Sequence, residues 1–209
     1  MDAVKTIGDE VGAYVDALIL HKGIKQPLAS VPPFFVRNNS DYARQLIKSV
    51  FIKLDIAINE SNYKHIPEYD KIVDYLINTD GKGLLLLGEC GTGKSNILKL
   101  LIPICYQMRE LVVTPVSCYD LNNIENYKLA RNRRHLLLDE IGVETNLNDY
   151  GEKFNPVERL INLSEDENKA LFCSTNLSLE QLFNRYGKRA FDRLAKRCKI
   201  IEFTTKSLR

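Results

Sequence analysis

Apolar residues recur every three or four positions in the first third of the chain, then gather into short solid runs. Val4, Ile7, Val11, Val15 and Leu18 form one stripe, which predicts a helix over residues 1–21, ended by Gly23 and Pro27. Residues 31–36 contain Pro32 and Pro33 and read as an extended linker. Ser40 has the chemistry of an N-cap, and Tyr42, Leu46, Val50, Leu54 and Ile58 follow at intervals of four, near one helical face. A third helix is predicted over residues 68–78 with Pro67 at its start. Asp80-Gly81-Lys82-Gly83 reads as a turn.

From Leu84 the pattern changes. Apolar runs at 84–87 and 136–138 and mostly apolar segments at 171–174 and 199–203, all read as strands, alternate with helical segments at 94–108, 119–125, 156–165, 179–186 and 189–196. Strands alternating with helices predict a mostly parallel sheet. Residues 111–116 supply a further strand, and Pro115 places it at an edge. Pro103 is expected to bend the helix that contains it, and residues 144–155 read as a loop.

Composition narrows the picture only slightly. The 209 residues allow one ordinary domain plus an appendage, divided here as 1–62 and 63–209. A net charge of +2 says little about nucleic acid. No apolar run is long enough to span a bilayer, and Asp2, Lys5, Asp9 and Glu10 do not fit a signal peptide. The five cysteines are dispersed with no metal-ligand spacing, which favours reduced thiols and a cytoplasmic location.

The chemistry lies at the ends of the predicted strands. Gly88-Glu89-Cys90-Gly91-Thr92-Gly93-Lys94-Ser95 fits G-x-x-x-x-G-K-[ST], and Asn96 continues into the helix. Glycines let such a loop turn its N–H groups onto phosphate oxygens, and the helix start adds its free N–H groups. Lys94 is expected to reach the β- and γ-phosphates of ATP, and Ser95 to ligate Mg²⁺. Asp139 and Glu140 end the run 135–138; Asp139 is the second metal-facing residue, and Glu140 is placed to polarise an attacking water. Asn176, with Thr175 behind it, stands at another strand end, where it suits either a γ-phosphate contact or a helix cap. Arg185, Arg189 and Arg193 are spaced by four; this suits a solvated basic face or an arginine that neutralises the γ-phosphate. Lys128, Arg131, Arg133, Arg134, Lys196, Arg197, Lys199, Lys206 and Arg209 make local basic patches that could meet single-stranded DNA.

Four segments occur in order: Gly88–Ser95, then Leu138-Asp-Glu-Ile-Gly-Val143, Ser174-Thr-Asn-Leu177 and Tyr186-Gly-Lys-Arg-Ala-Phe-Asp-Arg-Leu194. Over roughly residues 66–209 the chain resembles the DnaC/IstB-like branch of the AAA+ ATPases, helicase loaders and transposition ATPases. The resemblance implies a P-loop three-layer α/β sandwich with a five-stranded parallel sheet in the order 5-1-4-3-2; the N-terminal helical segment before it lies outside the resemblance. It implies an ATP-dependent switch in DNA replication, a homo-oligomer when active, and a replicative helicase or a transposase as partner. It makes Asn176 the sensor of the γ-phosphate and Arg193 the arginine finger acting on a neighbouring subunit's ATP, with Arg189 as the second choice. Arg209 becomes the candidate second sensor. The stretch after Arg193 is too short for a full helical lid, and residues 1–62 fall to partner docking by position. A P-loop kinase for a small acceptor remains the alternative from another class, and a nucleotide-gated adaptor the non-catalytic one.

Overall fold

The computed structural model describes residues 39–205 and Ser207. The helix expected over 1–21, the linker at 31–36 and Arg209 lie outside the described residues. Helix α1 (Ser40–Leu54) is capped by Asn39, whose side chain accepts from the N–H groups of Asp41 and Tyr42; the cap is therefore one residue before the Ser40 expected. Helix α2 (Pro67–Ile77) begins at its proline as expected.

Five parallel strands follow: β1 (Gly83–Gly88), β2 (Val116–Ser117), β3 (His135–Asp139), β6 (Ala170–Thr175) and β7 (Cys198–Phe203). They lie in the order β2-β3-β6-β1-β7, which is 5-1-4-3-2 when these five alone are counted in chain order. Both faces of the sheet are covered, so its strands lack an exposed polar side. On one face Leu84 and Leu86 pack with α1, α2 and the helix after β1; on the other Leu85 and Leu87 pack with the remaining helices. Period-two alternation thus divides four consecutive leucines between two cores.

Several segments differ from expectation: helix α1 stops at Leu54, short of Ile58, and the helix expected at 119–125 is a 3-10 turn Asp120–Asn122 followed by a longer helix from Ile124. Strand β2 is confined to Val116–Ser117; residues 111–115 lie outside it, since Pro115 offers no ladder donor. The supposed loop at 144–155 contains an antiparallel hairpin, β4 (Leu147–Asp149) and β5 (Glu152–Phe154), turned by Tyr150 and Gly151 at φ 51° and 88°. The helix from Lys94 runs as Lys94–Asn96, a π-helical turn Ile97–Leu101, and Ile102–Gln107, together α3. Pro103 cannot donate to the carbonyl of Lys99; instead Ile102 N–H donates to Ile97 O, five residues back, and the helix continues by widening. Helices α4 (Ile124–Arg131), α5 (Pro156–Asp166) and α6 (Leu179–Arg197) complete the second face.

Glu68, at the start of α2, fastens the far end of β7. Its carboxylate accepts from the N–H and hydroxyl groups of Thr204 and Thr205 at 2.7–3.1 Å. Burial pushes its pKa up, but these hydrogen bonds outweigh that and hold it at about 2, below the ordinary 4.5. A depressed pKa stabilises the fold above the unfolded value and is lost as pH falls through the folded one. Glu68→Gln is therefore expected to destabilise the chain at pH 6 and progressively less between about pH 4.5 and pH 2. Urea unfolding of both proteins across that window checks this; a difference independent of pH would refute it.

Candidate functional site

The loop between β1 and α3 closes around its own lysine. Lys94 is buried, and its Nζ donates to the carbonyls of Gly88 (2.7 Å) and Glu89 (2.6 Å) and to Thr92 Oγ1 (3.3 Å). Burial lowers its pKa, opposed by Cys90, Glu140 and Asp139 nearby. Gly93, at φ 91°, ends the loop and caps α3; a Cβ there would sit 2.5 Å from the Tyr69 hydroxyl. Helix α2 thus approaches the loop too closely for any side chain at that position. Cys90 is exposed on the loop, while Cys105, Cys118, Cys173 and Cys198 are buried.

Opposite the loop, β3 and β6 end side by side. Asp139 Oδ1 accepts from Ser95 Oγ at 3.0 Å and from Ser174 Oγ at 2.6 Å. Asp139 Oδ2 lies 2.5 Å from Lys99 Nζ. Glu140 holds a left-handed backbone, φ 65°, which a non-glycine residue adopts only under constraint. That constraint is visible. Glu140 N–H donates to Ser174 Oγ (2.9 Å), Ile141 N–H to Ser174 O (2.8 Å), and Thr175 Oγ1 to Ile141 O (2.7 Å). The result turns Glu140 toward β6, where Asn176 Nδ2 donates to its Oε1 at 3.0 Å. Lys94, Ser95, Asp139, Glu140 and Asn176 all line one cavity of about 770 Å³. Its other wall comes from α1, α2 and their connection, including Phe51, Asp55, Ile58, Tyr63 and Tyr69. Asn96 Nδ2 ties α3 to Asp55 at 2.7 Å.

No family model matches the sequence, and no curated protein matches it. Solved structures do. The DnaC helicase loader superposes with a TM-score of 0.55 at 18% identity, over 69% of this chain and 95% of its own. DnaI gives 0.54 at 18%, over 69% and 90%, and a primosome component from Streptococcus pyogenes serotype M3 gives 0.51 at 20%, over 73% and 89%. The fold is the one these three structures share. AMPPCP-bound DnaA from Aquifex aeolicus shares it more distantly, with a TM-score of 0.51 at 16% identity, over 72% of this chain and 51% of its own.

Within this fold Arg185 is set apart from Arg189 and Arg193, which line one shallow cavity. Gly187, at φ 74° and ψ 168°, breaks α6 between the first and the second. Arg185 turns to Glu144, with Nε 3.0 Å from Oε1. Arg193, only 13% exposed, is bound to α5: it donates to Asn162 O and Oδ1 (2.9 Å each), and pairs with Glu165 (3.0 Å) and Asp166 (2.9 Å). Arg189 is exposed, lines that cavity beside Lys188, Asp192 and Arg193, and its side chain has no hydrogen bond or ion pair among the described residues. The basic patches are largely engaged as well. Lys128 pairs with Glu125, Lys196 with Glu165 and Lys199 with Asp80, while Arg133 and Arg197 bond backbone carbonyls.

Two residues near the site carried no warning in the sequence, Lys99 and Glu144. The Glu144 carboxylate is fully buried and accepts from Gly142 N (2.7 Å), Asn155 Nδ2 (2.9 Å), Arg185 and the Tyr186 hydroxyl (3.0 Å). It joins the segment after Glu140 to α6 just before its break. Glu144→Ala leaves those donors unpaired and is expected to cost on the order of 3 kcal/mol. Urea unfolding checks the figure; a change below about 1 kcal/mol, the ordinary surface scale, would show the network to be dispensable.

Among the described residues no group of three or more His, Cys, Asp or Glu side chains could hold a metal by itself. Ser95 and Asp139 offer hard oxygens, the donor type Mg²⁺ takes when phosphates complete its shell. Among the described residues no helix is long and apolar enough to cross a membrane.

Proposed function

We propose that the chain binds ATP with Mg²⁺ at residues 88–96 and hydrolyses it as a helicase loader of the DnaC type. One observation carries the reading: Ser95 of the phosphate loop, Asp139 and Glu140 at the end of β3, and Asn176 after β6 come from three separate segments yet form one polar cluster connected through Ser174. The loop N–H groups and the start of α3 bind the phosphates, and Lys94 turns from the loop carbonyls onto the β- and γ-oxygens. Ser95 and Asp139 hold the metal, which when bound neutralises charge on those oxygens. Glu140 takes the proton from a water that attacks the γ-phosphorus, and Asn176 fixes the carboxylate by its hydrogen bond. The bond from the γ-phosphorus to the bridging oxygen breaks, and ADP and phosphate leave. Phe51, Ile58 and Tyr63 offer the apolar end of the cavity to the base.

Arg189 completes the site of a neighbouring subunit in this reading. Arg193, first in the resemblance, is held by α5 and takes second place. The AMPPCP-bound fold neighbour supports a nucleotide, and the likeness to the DnaC helicase loader supports a helicase as partner. Residues 1–62 are the proposed docking part, with Arg209 the proposed second sensor and single-stranded DNA a stimulating ligand. The test is ADP release from ATP without any acceptor, with and without replicative helicase and single-stranded DNA. Turnover raised by either supports the reading; phosphate appearing only on a small acceptor, or no turnover under any condition, overturns it.

A further inference from the structure

The helix that starts at the phosphate loop brings a cation to the one carboxylate that would face the metal. Lys99 stands four residues after Ser95, within the widened turn Ile97–Leu101, so both side chains point toward Asp139. Asp139 is almost completely buried, and both its oxygens are engaged: two hydroxyls donate to Oδ1, and the Lys99 ammonium meets Oδ2 at 2.5 Å. The Lys99 side chain is 46% exposed, so it can leave for solvent without breaking the core. Lys94 and Glu140 are the other charged groups lining this part of the cavity, and neither is hydrogen-bonded to Asp139.

We propose that Lys99 is an internal counter-ion that competes with the divalent metal for Asp139, and so sets the metal concentration at which the site loads. This rests on the reading of Ser95 and Asp139 as the metal-facing pair. A divalent ion beside Ser95 would place positive charge on both sides of one buried carboxylate. The ammonium then has to move, and its lost attraction is subtracted from metal binding. A lysine that instead gripped a phosphate would strengthen nucleotide binding without metal, so the two roles have opposite signs.

The experiment titrates free Mg²⁺ into the full chain with a fluorescent non-hydrolysable ATP analogue, and measures Mn²⁺ binding directly by electron paramagnetic resonance. Lys99→Met is expected to lower the half-saturating metal concentration about fivefold, near the upper end for a half-exposed ion pair. Lys99→Arg, which keeps the charge, should stay near the native value. Analogue affinity in EDTA should be unchanged by Lys99→Met, and raising KCl should narrow the difference between the two proteins. Lys99→Gln serves as a second removal should the methionine variant fail to fold. A metal midpoint that is unchanged or higher in the neutral variants overturns the proposal, and so does a comparable loss of analogue affinity in EDTA. Failure of the native chain to bind the analogue at any metal concentration would instead refute the nucleotide-site reading beneath it.

Discussion

Glu140→Gln is expected to lower ATP turnover at least 100-fold, the lower bound for a lost general base, while leaving nucleotide affinity within about twofold. The argument rests on what the substitution preserves. Glutamine keeps the length of the side chain and an oxygen that can accept from Asn176 Nδ2, as Glu140 Oε1 does at 3.0 Å. The backbone at 140 is held by Ser174 Oγ through its N–H, a contact blind to the side chain. Asp139, Ser95 and Lys94 are untouched, so phosphate and metal binding should persist. Only the capacity to take a proton is removed. Single-turnover phosphate release, set beside binding of a fluorescent nucleotide, separates the two effects. Should affinity fall in step with turnover, Glu140 is part of the binding shell and not the base. Should turnover survive within about tenfold, water activation belongs elsewhere, because a positioned base contributes more than that.

How far this site could be read in advance depended on what each feature writes into the chain. The strands were legible because burial on both faces leaves solid apolar runs such as Leu84-Leu85-Leu86-Leu87, and their ends carry the polar groups. The glycine loop at 88–95 was legible because its glycines meet backbone constraints seen at Gly93, at φ 91°, where a Cβ would meet the Tyr69 hydroxyl. The β4–β5 hairpin was not. Three-residue strands that bury one side chain each, Leu147 and Phe154, have no period to detect, although Tyr150-Gly151 between them marks the turn. Lys99 and Glu144 were invisible for another reason. Each gains its meaning from a partner far along the chain, Asp139 for one and Arg185 and Tyr186 for the other, which only the folded sheet brings near. The arginine face was legible in part. Gly187 separates Arg185 from the other two, as the division of the predicted helices at 186 and 189 implies, while Arg189 and Arg193 still line one cavity.

The partners of the two arginines after that break decide which should act between subunits: Arg193 is bound to α5 and Arg189 is not. Arg189→Ala is expected to lower turnover about 10³-fold, as loss of an arginine supplied to a neighbour's γ-phosphate does, with the thermal midpoint unchanged. Nothing among the described residues holds the Arg189 guanidinium, so its removal disturbs no contact of its own chain. Arg193→Ala should behave differently. It strips α5 of bonds to Asn162, Glu165 and Asp166, and a midpoint several degrees lower is the expected result. Mixing resolves the matter. Arg189→Ala and Glu140→Gln are each expected to be inactive alone, yet an assembly containing both would have boundaries where an intact Glu140 faces an intact Arg189. Recovered turnover in the mixture is evidence of a site shared between subunits. If Arg193→Ala complements Glu140→Gln instead, with its midpoint intact, then Arg193 must leave α5 on assembly, and the ion pairs with Glu165 and Asp166 become the latch that assembly opens. If neither mixture recovers while dilute monomer turns over fully, the site is complete within one chain, and the arginines serve α5 and α6 alone.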